Sequence, residues 1–125
     1  MTMDVKIGKK TGDNTIEQCP DSDTNICDPA FTRWPKESYR SGSNVSFWRF
    51  FMKNNDLKKI YLEMRKHPNS NDLDLASLKP FANKINKIKE SDFSDDLDKD
   101  RLKWLKYWSN KAVKLYGEEA AIMFS

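Results

Sequence analysis

The sequence predicts a mainly α fold: a single domain of three or four helices, with an irregular N-terminal arm at residues 1–45 and a helical domain at residues 46–125. The length of 125 residues is that of one domain. From Val45 onward, apolar residues recur three to four positions apart, as they do in amphipathic helices. The stretch from Gly8 to Asp28 has no such period and is rich in Asp, Asn and Thr, which is typical of irregular structure.

The N-terminal arm contains two short apolar features. Val5 and Ile7 alternate with polar residues, which suits a brief strand. Phe31 and Trp34 are large apolar residues in a proline-flanked loop. Because burial of large apolar side chains is favourable, we expect these two residues to fold back and hold the arm against the helical body.

Two helices are predicted before Pro68, which blocks further helical extension. Asn55 or Asp56 can cap the second of them, because Asn and Asp side chains accept hydrogen bonds from the first free backbone amides of a helix. Both helices have an apolar face at helical spacing. These faces consist of Phe47, Phe50 and Phe51 in the first helix, and Leu57, Ile60, Tyr61 and Met64 in the second.

Two further helices are predicted in the C-terminal half. The third lies within residues 74–89, and its regular part starts near Leu78 or Lys79 because Pro80 is tolerated only in a first turn. The fourth begins with acids, continues with bases and stops at Gly117, as the helix dipole and helix termination favour. The apolar positions are Leu75, Leu78, Phe81, Ala82, Ile85 and Ile88 in the third helix, and Leu97, Trp104, Leu105, Trp108, Ala112, Leu115 and Tyr116 in the fourth.

The C-terminal tail after Gly117 has a weak strand pattern. Ala121 and Met123 alternate with Ile122 and Phe124, which mildly favours a short strand over a frayed helical turn. Such a strand is able to pair with the alternating residues near the N-terminus. The sequence therefore allows a minor two-stranded pairing of the termini beside the helices.

Composition and cysteine spacing bound the cellular setting. No apolar run approaches the roughly 18 residues of a membrane helix, and the first residues have no apolar signal region. We therefore expect a cytoplasmic protein that does not contact a membrane. Cys19 and Cys27 have no zinc-site spacing, so we interpret them as free thiols, with a disulfide between them as the alternative.

The residues offer no catalytic, metal or cofactor motif. His67 is the single histidine, which removes most catalytic triads and His-rich metal sites. The four glycines are scattered, so no phosphate-binding loop is formed. The loop that starts at Asp21 begins like a calcium-binding loop, but Ile26 stands where Gly is needed and Thr32 where Glu is needed. We therefore expect no enzymatic activity, no metal and no cofactor.

The candidate partner-binding residues fall into an aromatic–basic set in the arm and an acidic set at the start of the fourth helix. Trp, Tyr and Arg dominate protein–protein hot spots, although the first set also suits a structural latch and the second suits helix capping. We predict a small non-enzymatic protein that binds a protein of unknown identity, most concretely a stand-alone inhibitor or immunity-type antagonist. The residues are Arg33, Trp34, Tyr39 and Arg40 in the arm, and Asp95, Asp96 and Asp98 in the helix.

The alternative function is a nucleic-acid-binding or regulatory helical domain. Lys103, Lys106 and Lys114 form one stripe of the fourth helix with Tyr107 beside it, and lysines at such spacing can contact phosphates. The polar side of any amphipathic helix has the same appearance. The net charge of +3 is weak for a nucleic-acid domain, and the acids at the helix start would repel a phosphate backbone. A nucleic acid is therefore the less favoured partner.

Overall fold

The computed structural model describes residues 5–12, 15–22, 38–40, 49–66 and 75–124. Residues 49–52 are helical, and short 3-10 turns occupy Glu90–Asp92 and Gly117–Glu119. The remaining elements of these ranges are, in chain order, β1 (Val5–Lys10), β2 (Ile16–Gln18), β3 (Tyr39–Arg40), α1 (Asn55–Lys66), β4 (Leu75–Ser77), α2 (Ala82–Asn86), α3 (Asp96–Tyr116) and β5 (Ala120–Phe124).

An antiparallel sheet makes the fold mixed α/β, so the prediction of a mainly α fold is wrong. The strand order is β2-β1-β5-β4, and β3 also pairs with β1. Strand β2 pairs with residues 8–10 of β1, whereas β3 pairs with Val5 and Lys6. Since β5 occupies the opposite edge of β1, β2 and β3 share one edge and the sheet is four positions wide.

The N- and C-terminal strands lie side by side at the centre of this sheet. Five residue pairs join β1 to β5, from Val5 opposite Phe124 to Lys9 opposite Ala120. The pairing of the termini that the sequence allowed is therefore present, but it organises the fold and is not a minor addition. The stretch predicted to be irregular contains β2 and the second half of β1. Three-residue strands are too short to give a clear alternation.

The two faces of the sheet bury different sets of side chains. Helix α3 packs on β1 and β5, and together with the other helices it encloses the main core. Ile16, Leu75 and Ala121 are buried on the opposite face, and Met123 packs against them. The main core contains Val5 and Ile7 of β1, Ala120, Ile122 and Phe124 of β5, and Trp104, Leu105, Trp108 and Ala112 of α3.

Helix α1 confirms the predicted amphipathic pattern. Its four predicted apolar residues are all buried, and Tyr61 stacks on Phe51 with ring centroids 4.8 Å apart. Phe124 contacts both of these rings edge-on. The helix begins at Asn55, earlier than either predicted cap allows, and the Oδ1 atom of Asn54 accepts a hydrogen bond from the Leu57 amide at 2.9 Å. Asn54 is therefore the cap instead of Asn55 or Asp56.

The predicted third helix is largely replaced by other structure. Its six apolar residues are buried as predicted, but Leu75 lies in β4 and pairs with Met123 of β5. Pro80 follows in a turn, and only the five residues of α2 are helical. Leu75, Leu78 and Phe81 fit helical spacing by coincidence, because a short buried strand and a buried helix turn have similar apolar patterns.

Helix α3 is the longest element, with 21 residues. Asp95 caps it by accepting a hydrogen bond from the Leu97 amide at 2.9 Å, and Gly117 ends it with a φ of 57°, as predicted. Leu115, which was predicted to lie on the apolar stripe of this helix, is 48% exposed, whereas Leu102 is fully buried. In the described ranges no helix has the length and apolar content needed to cross a membrane.

Gly8 and Ser38 control how β2 and β3 share the edge of β1. A Cβ atom on Gly8 would lie 1.8 Å from the carbonyl oxygen of Glu17, so β2 needs a glycine here. Just beyond β2, the Cys19 amide donates to Ser38 Oγ at 3.0 Å. The Ile7 amide donates to the Ser38 carbonyl at 2.9 Å. The buried Ser38 therefore bridges the two strands where one leaves β1 and the other joins it.

We expect Gly8→Ala to lower the free energy of unfolding by at least about 2 kcal/mol, because the new methyl group would overlap the Glu17 backbone and force β2 away from β1. Urea unfolding followed by circular dichroism measures the change. Gly12→Ala is the matched control, since its Cβ atom would meet only the movable Thr15 hydroxyl. Equal stability of the two variants would contradict this account of the edge.

Candidate functional site

The start of α3 is tied to the body by one buried carboxylate. The Asp98 side chain is 1% exposed and accepts hydrogen bonds from Lys53 Nζ at 2.5 Å and from Arg101 Nη1 at 2.6 Å. Lys53 directly follows the helical residues 49–52, so this ion pair joins two segments that are distant in sequence. A buried carboxylate needs such partners, because a charge removed from water without compensation is strongly destabilising.

Four acids around this anchor remain exposed, and we call Glu90, Asp92, Asp95 and Asp96 the acidic surface. Asp95 and Asp96 keep 46% and 84% of their side chains exposed. The ion pairs of these two carboxylates are long: Lys53 Nζ lies 4.0 Å from Asp95, and Lys99 Nζ lies 3.9 Å from Asp96. Of the predicted acids, Asp95 and Asp96 therefore lie on the surface, and Asp98 lies beneath it.

Contacts at its rim hold the acidic surface in place. Asp92 accepts hydrogen bonds from the Lys89 amide at 3.3 Å and from Asn54 Nδ2 at 3.5 Å. Because Asn54 also caps α1, the acidic surface is connected to the start of that helix. Lys103 Nζ lies 3.9 Å from both Glu90 and Asp100. These links give the exposed carboxylates a defined position on the molecule.

The lysines of the predicted stripe on α3 differ in their contacts with acids. Lys103 belongs to the edge of the acidic surface through its two ion pairs. Lys106 and Lys114 have no carboxylate within 4.0 Å among the described residues. Tyr107 is half-buried, and Lys111 Nζ lies 5.8 Å from the centre of its ring. The structure therefore leaves Lys106 and Lys114 as the open cations of the predicted stripe.

The arm residues are only partly described. The backbones of Tyr39 and Arg40 form β3 and pair with Lys6 and Val5. Several predicted positions lie outside the described residues, so they remain predictions. These are Cys27, Phe31, Arg33, Trp34, Phe47 and His67.

Two groups with shifted pKa values meet between the end of β2 and the end of α3. Cys19 is a free, buried thiol. Burial raises its pKa, against the opposing effects of a hydrogen bond to Ser38 and the charge of Lys111. The pKa of Tyr116 is also raised, by burial and by the charges of Cys19 and Glu17. A thiol held in its protonated form is a poor nucleophile and metal ligand, and the described residues contain no group of three metal-ligating side chains.

A groove between α1 and α2 is a feature that the sequence analysis missed. Its volume is about 300 Å³. We call it the α1–α2 groove. Its floor is Ile60 and Ile88, and Lys84 Nζ crosses it to Glu63 at 3.1 Å. The other residues that line it are Asp56, Lys59 and Lys87.

The sequence contained only part of the signal for these sites. Lys59 and Glu63 are four residues apart on the polar side of a predicted helix, but nothing local indicates that Lys84 and Lys87 face them. Likewise, Lys53 and Asp98 are 45 residues apart, so their ion pair depends on the tertiary fold.

Comparisons of the chain with protein families, with curated proteins and with solved structures found no match.

We expect Asp98→Asn to lower the free energy of unfolding by about 2–3 kcal/mol, because Lys53 and Arg101 would lose their shared carboxylate. This loss is smaller than for a fully enclosed pair, since the side chain of Lys53 is 47% exposed and reaches water. Chemical denaturation measures the change.

Asp96→Asn is the control for this prediction, because it removes the same charge from an 84% exposed site in the same helical turn. We expect it to change stability by less than about 0.5 kcal/mol. Equal effects of the two substitutions would show that Asp98 does not anchor the helix.

Proposed function

We propose that the protein is a non-enzymatic binding protein that antagonises another protein by covering it, and that the acidic surface is part of the interface. The observation that carries this proposal is the combination of exposed Asp95 and Asp96 with the buried Asp98 anchor beneath them. The exposed carboxylates are thus presented from a fixed helix start. A preorganised surface loses less conformational entropy on binding than a mobile one.

The chemistry of the acidic surface indicates a basic partner surface. Its four carboxylates all carry a negative charge. The helix dipole stabilises acids at the start of a helix, but their charges remain exposed to solvent. Lysine or arginine side chains of a partner would gain from pairing with them, mainly through faster association and specificity. A nucleic acid would be repelled here. The proposed antagonist therefore holds a protein with a basic patch, in the cytoplasm.

The arm residues form the second part of the proposed interface. Arg33, Trp34, Tyr39 and Arg40 supply the aromatic and guanidinium groups that contribute most to hot spots. In the proposed interface, the exposed acids would mainly set the association rate, and the aromatic and guanidinium groups would mainly set the dissociation rate.

The test starts with capture of the partner from the native host's lysate by the tagged protein, with and without nuclease, followed by calorimetry with the purified partner. We expect Asp95→Ser combined with Asp96→Gln to weaken binding at least tenfold at low salt and less at high salt. Serine keeps the helix cap, so stability should change little. A tenfold loss is about 1.4 kcal/mol, which two lost charge pairs can supply.

The matched control is Glu118→Gln, which removes an 86% exposed charge at the far end of α3, about 30 Å away. It should leave the affinity unchanged. Trp34→Ala with Arg40→Ala should weaken binding and leave the melting temperature nearly intact. A dissociation constant that neither double variant changes, or no protein recovered from the lysate, would overturn the proposal.

Nucleic-acid binding through the stripe of Lys103, Lys106, Tyr107 and Lys114 is the second candidate function. The observation that favours it is that Lys106 and Lys114 have no carboxylate partner among the described residues, so both are open to phosphates. Lys103 would first have to leave Glu90 and Asp100. Binding through so few phosphate contacts would be weak and would fall steeply with salt.

For this second function, we expect Lys106→Glu with Lys114→Glu to abolish retention on single- or double-stranded nucleic acid at 50 mM salt. Fluorescence anisotropy with labelled oligonucleotides measures the binding. Lys10→Glu with Lys58→Glu makes the same charge change away from α3 and should only reduce affinity modestly. If the unmodified protein does not bind at low salt, this function is excluded.

A further inference from the structure

We propose that the α1–α2 groove binds a small organic carboxylate that carries an aliphatic or aromatic group. None of the residues that line the groove belongs to the acidic surface, so this proposal does not rest on the function proposed above. Its volume of about 300 Å³ lies at the lower end of the range of small-molecule sites. It therefore suits a compact ligand instead of a folded partner.

The floor of the groove provides the apolar contact. Ile60 of α1 and Ile88, which follows α2, are 5% and 2% exposed, and both belong to the main core. Their positions are therefore fixed by the packing behind them. The aliphatic stems of the surrounding lysines add methylene groups to the walls, as long cationic side chains commonly do at apolar surfaces. Because the two isoleucines expose little surface, a ligand chain would bury its apolar area partly against them and partly against the lysine stems.

The cations of the groove are not equivalent. Lys84 is held by Glu63 at 3.1 Å, and its Nζ lies 5.7 Å from the centre of the Phe81 ring. Lys59 and Lys87 line the same groove, are exposed, and have no carboxylate within 4.0 Å among the described residues. Lys59 and Lys87 are therefore the groups available to bind an anionic head group, while Lys84 and Glu63 bridge the two sides of the groove.

The balance of charge selects a singly charged head group. Three lysines and the two acids Asp56 and Glu63 line the groove, which leaves one excess positive charge. A carboxylate neutralises this excess, whereas a phosphate dianion would leave a net negative charge in the groove and would cost more free energy to remove from water. A neutral alcohol would leave Lys59 and Lys87 without a partner. The expected order of affinity is therefore carboxylate above phosphate monoester above alcohol.

The experiment is a titration of the uniformly ¹⁵N-labelled full chain with octanoate, followed by amide chemical shifts, with dissociation constants from the same data. Octyl phosphate, 1-octanol and acetate are the comparison ligands. We expect octanoate to bind most tightly, to shift amides around Ile60 and Ile88, and to bind at least tenfold more tightly than acetate or octanol. Shifts centred elsewhere, or equal affinity for octanoate and octanol, would overturn the proposal.

Variants test the head-group contacts without disturbing the floor. Lys59→Gln with Lys87→Gln should weaken octanoate binding at least tenfold, whereas Lys106→Gln with Lys114→Gln, the same charge change outside the groove, should not change it. Glu63→Gln should strengthen binding about threefold, because it releases Lys84 and removes a repelling charge. Unchanged or weaker binding by Glu63→Gln would contradict the assigned charge balance.

Discussion

The fold depends on β1 having a neighbour on both of its edges. Strand β5 covers one edge, β2 and β3 share the other, and α3 packs across β1 and β5. Each of these contacts needs the others, since α3 buries its tryptophans against a surface that exists only when β1 and β5 are paired. Full burial of a large apolar side chain contributes about 1.5–3 kcal/mol. The helical layer is therefore stable only when the sheet has formed.

The sequence predicted the helices better than the sheet, and particular residues explain why. The faces of α1 and α3 repeat over several turns, and Gly117 and the acids near Asp95 mark the ends of α3 through local chemistry. Strand pairing is different, because the pairing of Val5 with Phe124 leaves no local pattern at either residue. Leu75 illustrates the limit: its burial was predicted correctly, but its secondary structure was not.

The candidate functional surfaces were also predictable only in part. The acidic helix start was recognisable because its acids are contiguous in sequence, but the roles within it were not. Asp98 is an anchor because Lys53 and Arg101 approach it, whereas they do not approach Asp96, which remains an exposed charge. The α1–α2 groove could not be predicted, since its walls come from helices about 25 residues apart that show only ordinary polar faces. Local patterns reveal which groups are available, and tertiary contacts decide what each can do.

The adjacency of β1 and β5 also has a consequence for biosynthesis. Ala120, which pairs with Lys9, is translated about 110 residues after it, which at 5–20 residues per second takes roughly 5 to 20 seconds. The hairpin of β1 and β2 can form early, but the other edge of β1 stays unpaired throughout that interval. An open strand edge is a template for wrong pairing between chains. The nascent chain would therefore benefit from a holding chaperone, and codons that slow the ribosome late in the message would prolong its most aggregation-prone state.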